Sequence, residues 1–251
     1  MQTLPLIIAH RGESYDAPEN TLSSVILAWE RGAEAVEIDI RLSQDNQIVV
    51  IHDKNTKRIG NRFEKVKNQT LEELKQLDFG SWKSDEFKDE KIPTLAEVLE
   101  TVPVDKKLII EIKSSDKIVP YLIEDIKNSG LQDRQIEIIS FKYDVLKQIK
   151  GKLPELKMLY LVDLDYTWMT KIFSPPVEKL IEKVDKANLD GLNVWAGKLL
   201  TEKFVSTVKW QKLLLYVWTV NDPEHAKILA DWKIDAITTD KAQWLKEQLT
   251  I

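Results

Sequence analysis

The 251 residues carry a formal net charge of −5 with acidic and basic side chains interspersed, so no basic stripe marks out a nucleic-acid partner. The absence of cysteine excludes disulfides, thiolate metal sites and a cysteine nucleophile. Hydrophobic residues at 43% allow a substantial core. No run reaches the roughly 20 apolar residues that span a bilayer, and the first ten residues lack the basic start and length of a signal peptide, so a cytoplasmic protein without stable membrane insertion is expected.

The chain opens on a short apolar run at 6–9, ended by His10-Arg11-Gly12, and an amphipathic stretch at 21–31 follows. The alternation then repeats. Strands are predicted at 35–42, 108–112, 136–141, 158–162, 192–194, 213–220 and 236–239, and helices at 95–100, 118–127, 143–150, 177–187, 202–209, 224–230 and 241–248. The strand runs are short and rich in Ile, Val and Leu, as in a parallel sheet buried on both faces. Eight strand–helix units over this length predict a single-domain (βα)8 TIM barrel spanning residues 1–251. A doubly wound open sheet is the alternative, weakened by the lack of a Gly-rich loop after the first strand. One segment, 53–93, is charged, carries Phe79, Trp82 and Phe87, and has weak helical signal only at 71–77. It reads as an insertion after the second strand, packed over one mouth of the barrel.

Chemistry gathers at strand ends. Glu37 and Asp39 lie two residues apart and point to one face of their strand. Burying both is costly without compensation, for which a hard divalent cation or a salt bridge to Arg or Lys are the candidates. Downstream, Asp45-Asn46 suggests a two-residue hairpin turn. If the hairpin is centred between those residues, position 39 lies opposite 52 and His52 returns beside Asp39. Glu111 and Lys113 share a face near the end of the third predicted strand. Two of the three histidines, His10 and His52, thus flank carboxylates, while His225 falls on a helix. Two histidines for acid–base work, with a cation, Arg11 and Lys113 for phosphoryl charge, suit cleavage of a phosphate diester.

The ordered motifs resemble one family over about residues 6 to 245. His10-Arg11-Gly12, Pro18-Glu19-Asn20-Thr21, Glu37-Ile38-Asp39, His52-Asp53, Pro93-Thr94-Leu95, Glu111-Ile112-Lys113, Ser140-Phe141, Val217-Trp218-Thr219-Val220-Asn221 and Thr238-Thr239-Asp240 are similar to those of the glycerophosphodiester phosphodiesterases, barrels of the phospholipase C-like group. The resemblance implies one Mg2+ or Ca2+ held by Glu37, Asp39 and Glu111, and an acid–base pair of His10 and His52. It implies phosphate contacts from Arg11 and Lys113, and Glu19 orienting neighbours or closing the metal shell. Trp218 would line the pocket for the glycerol moiety or serve as barrel core. The small-molecule substrate would be a glycerophosphodiester, yielding sn-glycerol 3-phosphate and an alcohol, with no nucleic acid involved. The alternatives are a lysophospholipid-cleaving relative and a non-catalytic binding barrel. Two departures stand out: the spacing after His52-Asp53, and Trp232-Lys233 in place of the family's Gly before the last strand. The latter requires another turn geometry or strains Lys233.

Overall fold

The computed structural model describes residues 4–164 and 176–250. Among them are nine strands: β1 (Leu6–His10), β2 (Ala35–Leu42), β3 (Ile48–Val50), β4 (Lys107–Ile112), β5 (Ile136–Ser140), β6 (Lys157–Val162), β7 (Gly191–Trp195), β8 (Leu214–Trp218) and β9 (Ala236–Thr239). All but β3 pair in parallel in the order β1-β9-β8-β7-β6-β5-β4-β2, and a β1–β2 ladder closes the ring. Helices alternate with the strands, from Leu22–Glu30 after β1 to Ala242–Thr250 after β9. The architecture is the expected TIM-type (βα)8 barrel with one extra antiparallel strand.

Alternation along each strand sorts the side chains into two layers. Ile8, Ala35, Ile109, Ile139, Leu159, Leu161, Tyr216 and Ala236 fill the barrel interior. Their neighbours, among them Ile7, Val36, Ile38, Leu108 and Ile110, point outward and pack under the helices. Each such side chain contributes about 1.5–3 kcal/mol by leaving water. By the same parity His10, Glu37, Asp39 and Glu111 face inward. Toward the N-terminal end of the barrel, the buried Glu137 is held by Lys107 at 2.6 Å and by the Tyr216 hydroxyl, which donates at 2.8 Å.

The segment 53–93 has its own small core. Ile59, Val66, Leu74, Phe79 and Ile92 pack with Val49 and Ile51 of the hairpin that leads into it. The helix Leu71–Lys75 starts at a Thr70 cap whose partner, Glu73, returns a bond to the Thr70 amide. Of the four aromatics there, Phe63, Phe79, Trp82 and Phe87, only Phe79 is fully buried. Trp82 remains 40% exposed, donating its indole N–H to the Phe79 carbonyl.

The hairpin differs from expectation by one residue. Its pairs are Ile40↔Val50, Arg41↔Val49 and Leu42↔Ile48, so the loop is Gln44-Asp45-Asn46 and the centre lies on Asp45. Asn46 sits at φ 62°, the left-handed residue that closes a three-residue loop. The Asp39 carbonyl therefore accepts from Ile51, not His52. A ladder continued in this register would turn His52 away. Instead the ladder stops at Val50, and Arg41 takes the His52 carbonyl through Nε at 2.9 Å and through a terminal nitrogen at 2.5 Å. Departure from regular pairing carries His52 to the site. At the other departure, Lys233 adopts φ 65°, so the strained option holds.

Candidate active site

The inward face of β2 organises the site. Asp39 pairs directly with Glu111 across the β2–β4 ladder, and His10 with Glu37 across β1–β2. Because β1 ends there, β3 takes over the same edge of β2 from Ile40 onward. His10 and His52 therefore reach the carboxylates from one edge of β2, and Glu111 and Lys113 from the other.

One oxygen from each of Glu37, Asp39 and Glu111 lies within 4.8 Å of the others, and all three residues are buried. Glu37 Oε1, Asp39 Oδ1 and Glu111 Oε1 accept no hydrogen bond. Lys113 is ion-paired with the last two of these oxygens, 3.1 Å from Asp39 Oδ1 and 2.6 Å from Glu111 Oε1. The Arg11 Nε lies 3.0 Å from Asp39 Oδ2. Salt bridges are thus present, but three carboxylates face two cations, and Arg11 is shared with Glu19 at 2.9 Å. Converging buried carboxylate oxygens that only Lys113 approaches are hard donors, and this trio fits a cation such as Mg2+ or Ca2+.

The electrostatics follow from burial. Burial and the charges of Asp39 and Glu111 raise the Glu37 carboxyl well above the usual range. Burial, then Asp39, pushes Glu111 up to about 7. Asp39 is as deeply buried, yet Arg11 and Lys113 outweigh that cost and hold it low. Lys113 is disfavoured by burial but raised on balance by Asp39 and Glu111. Burial and mutual repulsion thus keep protons on part of the trio, while Asp39 stays ionised between Arg11 and Lys113.

Each histidine is backed by a carboxylate. His10 Nδ1 lies 2.6 Å from Asp240 Oδ1, and His52 Nδ1 lies 2.9 Å from Asp53 Oδ1. With Nδ1–H donating to its carboxylate, each ring presents Nε2 as the free nitrogen; His10 Nε2 lies 4.0 Å from Glu37. Asp240 is fixed in turn by the Asn221 amide, which donates at 2.6 Å. Burial opposes the Asp240 charge, but His10 lowers its pKa to about 2. For His52, burial lowers the imidazole pKa, and Asp39 offsets part of this.

The surrounding residues lock these groups in place. Arg11 adopts φ 57° and Gly12 φ 82°, and a Cβ on Gly12 would lie 2.5 Å from Ser24 atoms. Only glycine allows this turn, which directs the Arg11 amide to Glu37 at 3.1 Å. Asn20 clasps Asp39 twice, donating to Oδ2 at 2.9 Å and accepting from its amide at 3.0 Å. Glu19 lies between Arg11 and Arg58, tied to both, rather than within the carboxylate trio. Arg58 also holds Asp53.

His10, Arg11, Glu37, His52, Glu111 and Lys113 line a hollow of about 150 Å3 at the C-terminal ends of the strands. Its far wall is Trp218, set edge-on to Phe141 at 5.8 Å and to Trp195 at 5.1 Å. Trp218 therefore forms pocket wall, not the centre of the core. The Trp218 indole N–H and Asn193 Oδ1 are buried in this hollow without a protein partner. Asn193, Asn20, Asp53, Arg58 and Asp240 received no role from sequence. Asn193 had a signal: one amide in the apolar run Gly191–Trp195, at inward parity with Leu161 and Tyr216.

The comparisons agree with this geometry. The model of the glycerophosphoryl diester phosphodiesterase family matches residues 10–243. A glycerophosphodiester phosphodiesterase of Caldanaerobacter subterraneus subsp. tengcongensis is 34% identical, covering 96% of both chains. An Oleispira antarctica phosphodiesterase, solved with its product sn-glycerol-3-phosphate, superposes with TM-score 0.88 at 31% identity, covering 99% of this chain and 98% of that one. The Thermotoga maritima glycerophosphodiester phosphodiesterase gives TM-score 0.80 at 30% identity, covering 98% and 99%. With family motifs, barrel and relatives in agreement over nearly the whole chain, this protein belongs to the glycerophosphoryl diester phosphodiesterase family of phosphoric diester hydrolases.

Proposed function

We propose that the chain hydrolyses glycerophosphodiesters to sn-glycerol 3-phosphate and an alcohol by metal-assisted acid–base catalysis. The observation that carries this reading is the pair of carboxylate-backed histidines flanking three buried, converging carboxylates. The product held by the Oleispira antarctica relative supports it. Glu37, Asp39 and Glu111 hold one Mg2+ or Ca2+, which when bound neutralises phosphoryl charge as a Lewis acid.

Arg11 and Lys113 bind the remaining phosphoryl oxygens and lower the cost of charge developing there. Glu19 positions Arg11 from behind. His10, held by Asp240, takes through Nε2 the proton of the glycerol 2-hydroxyl as that oxygen attacks phosphorus. His52, held by Asp53 and entering protonated on Nε2, gives its proton to the alkoxide as the P–O bond to the alcohol breaks. Water then opens the resulting cyclic phosphate, with His52 taking its proton and His10 returning one to the 2-oxygen, which restores both rings. This assignment follows from position. His10 lines the hollow with Trp218, Asn193 and Thr238, where the free indole N–H and amide oxygen bind glycerol hydroxyls. His52 is the more exposed ring, 36% against 17%, and stands where the alcohol departs.

Purified protein with Mg2+ or Ca2+ is expected to release glycerol 3-phosphate, and excess chelator to abolish release. Full activity in chelator refutes the metal assignment. His52→Ala should lower turnover by about 10² or more; near-normal turnover would hand the acid role to another group.

A further inference from the structure

A second space adjoins the site on the His52 side. It is a crevice of about 560 Å3 between the β2–β3 hairpin, the 53–93 segment and the turn after β4. Arg41, Lys54, Lys65, Lys67 and Lys117 line it together with Ser115, and no carboxylate does. These cations come from three separate stretches of chain, so the fold assembles them. Among the described residues, none of the four lysine ammonium groups has a carboxylate within ion-pair range. Nearby acids are engaged elsewhere: Asp45 by Ser43 and the Leu71 amide, Glu64 by the Lys65 amide and Asn68, Asp53 by Arg58. Asp116, beside Lys117 in sequence, lines the neighbouring crevice instead.

Crevice and hollow are lined by different residues on adjoining stretches of chain. His52 and Lys113 line the hollow, and Lys54 and Ser114, two and one residues further on, line the crevice. Arg41 joins them through the His52 carbonyl. The hollow, at about 150 Å3, is small beside the roughly 300–1,000 Å3 of pockets that enclose drug-sized ligands, so the alcohol half of a diester extends beyond it.

We infer that this crevice binds an anionic group on the leaving alcohol, making the preferred substrates glycerophosphodiesters whose alcohol bears a phosphate monoester. This rests on the phosphodiesterase reading proposed above. Clustered cations beside a cleft concentrate and orient an anionic substrate, at rates that fall with ionic strength. Glycerophosphocholine, whose alcohol is cationic, is the disfavoured case.

The test compares kcat/KM for glycerophosphoglycerol with and without a terminal phosphate monoester, and for glycerophosphocholine, in wild type, K54E/K67E and K65E/K117E. Melting curves confirm that each variant folds. The phosphorylated substrate should be preferred by about tenfold at low salt, with the preference lost in both variants. Equal kcat/KM in wild type, or a preference unchanged in both variants, overturns the inference while the diesterase reading stands. So does a rate on the unphosphorylated substrate that responds to added inorganic phosphate in wild type alone, which makes the anion a separate effector. Equal kcat/KM together with variant-sensitive binding to phosphatidylglycerol vesicles makes the crevice a membrane contact and also overturns it. No hydrolysis of any of the three overturns the proposed function and this inference together.

Discussion

Glu111→Gln separates the stability of the site from its metal binding, because the Glu111 carboxylate opposes folding when no cation is present. The Glu111 pKa stands at about 7 in the fold against 4.5 ordinarily, through burial and then Asp39, with Lys113 working the other way. A raised acid pKa means that the folded state holds its proton more tightly than the unfolded chain. Unfolding therefore releases a proton between about pH 4.5 and 7, and stability falls as pH rises through that window. The displacement corresponds to about 3 kcal/mol above pH 7, and to about 1 kcal/mol or less at pH 5. This is an upper limit for the substitution, since Lys113 loses a partner. For a chain of this size it amounts to a melting-point rise of about 6–12 °C at most. In chelator at pH 8 the variant should melt above wild type, and the two should converge toward pH 5. A divalent cation at roughly 100 times its Kd should add about 2.7 kcal/mol to wild type and far less to the variant. Thermal melts at both pH values, with chelator and with Mg2+ or Ca2+, provide the readout. A variant no more stable than wild type in chelator at pH 8, or one stabilised equally by the cation, would refute the reasoning.

Asp240→Asn leaves the His10 ring without its carboxylate partner while keeping the side-chain volume; turnover should fall by roughly 10² or more, and steady-state kinetics showing less than a tenfold loss would remove Asp240 from the mechanism. Lys233→Gly relieves a left-handed backbone at the end of the helix Pro223–Asp231, away from the site, and should stabilise by about 1 kcal/mol with turnover unchanged. Denaturant unfolding checks it, and an unchanged midpoint would mean that the turn absorbs the strain.

Much of the site was legible because side-chain direction in a strand follows from local backbone geometry. Period-two alternation was enough to put Glu37 and Asp39 on one face, and Glu111 and Lys113 likewise. Buried strand composition and strand–helix rhythm were enough for the barrel. The hairpin register was not legible in the same way. It depends on Asn46 entering the left-handed region, which makes a three-residue loop, and the arrival of His52 depends on where the ladder stops.

Other features exist only once the chain is closed. His10 and Asp240 are 230 positions apart and meet because β1 and β9 are neighbours in the barrel. Asp240 stood in a recognisable motif without a visible purpose, since sequence spacing carries no information on which strand ends converge. Asn193 is an unremarkable amide until its strand is turned inward. The lysines of the basic crevice look like ordinary surface charges along the chain, each with acidic residues close in sequence. Local chemistry decided which residues could act, and barrel closure decided which of them meet, because contacts between distant strands depend on how the whole chain packs.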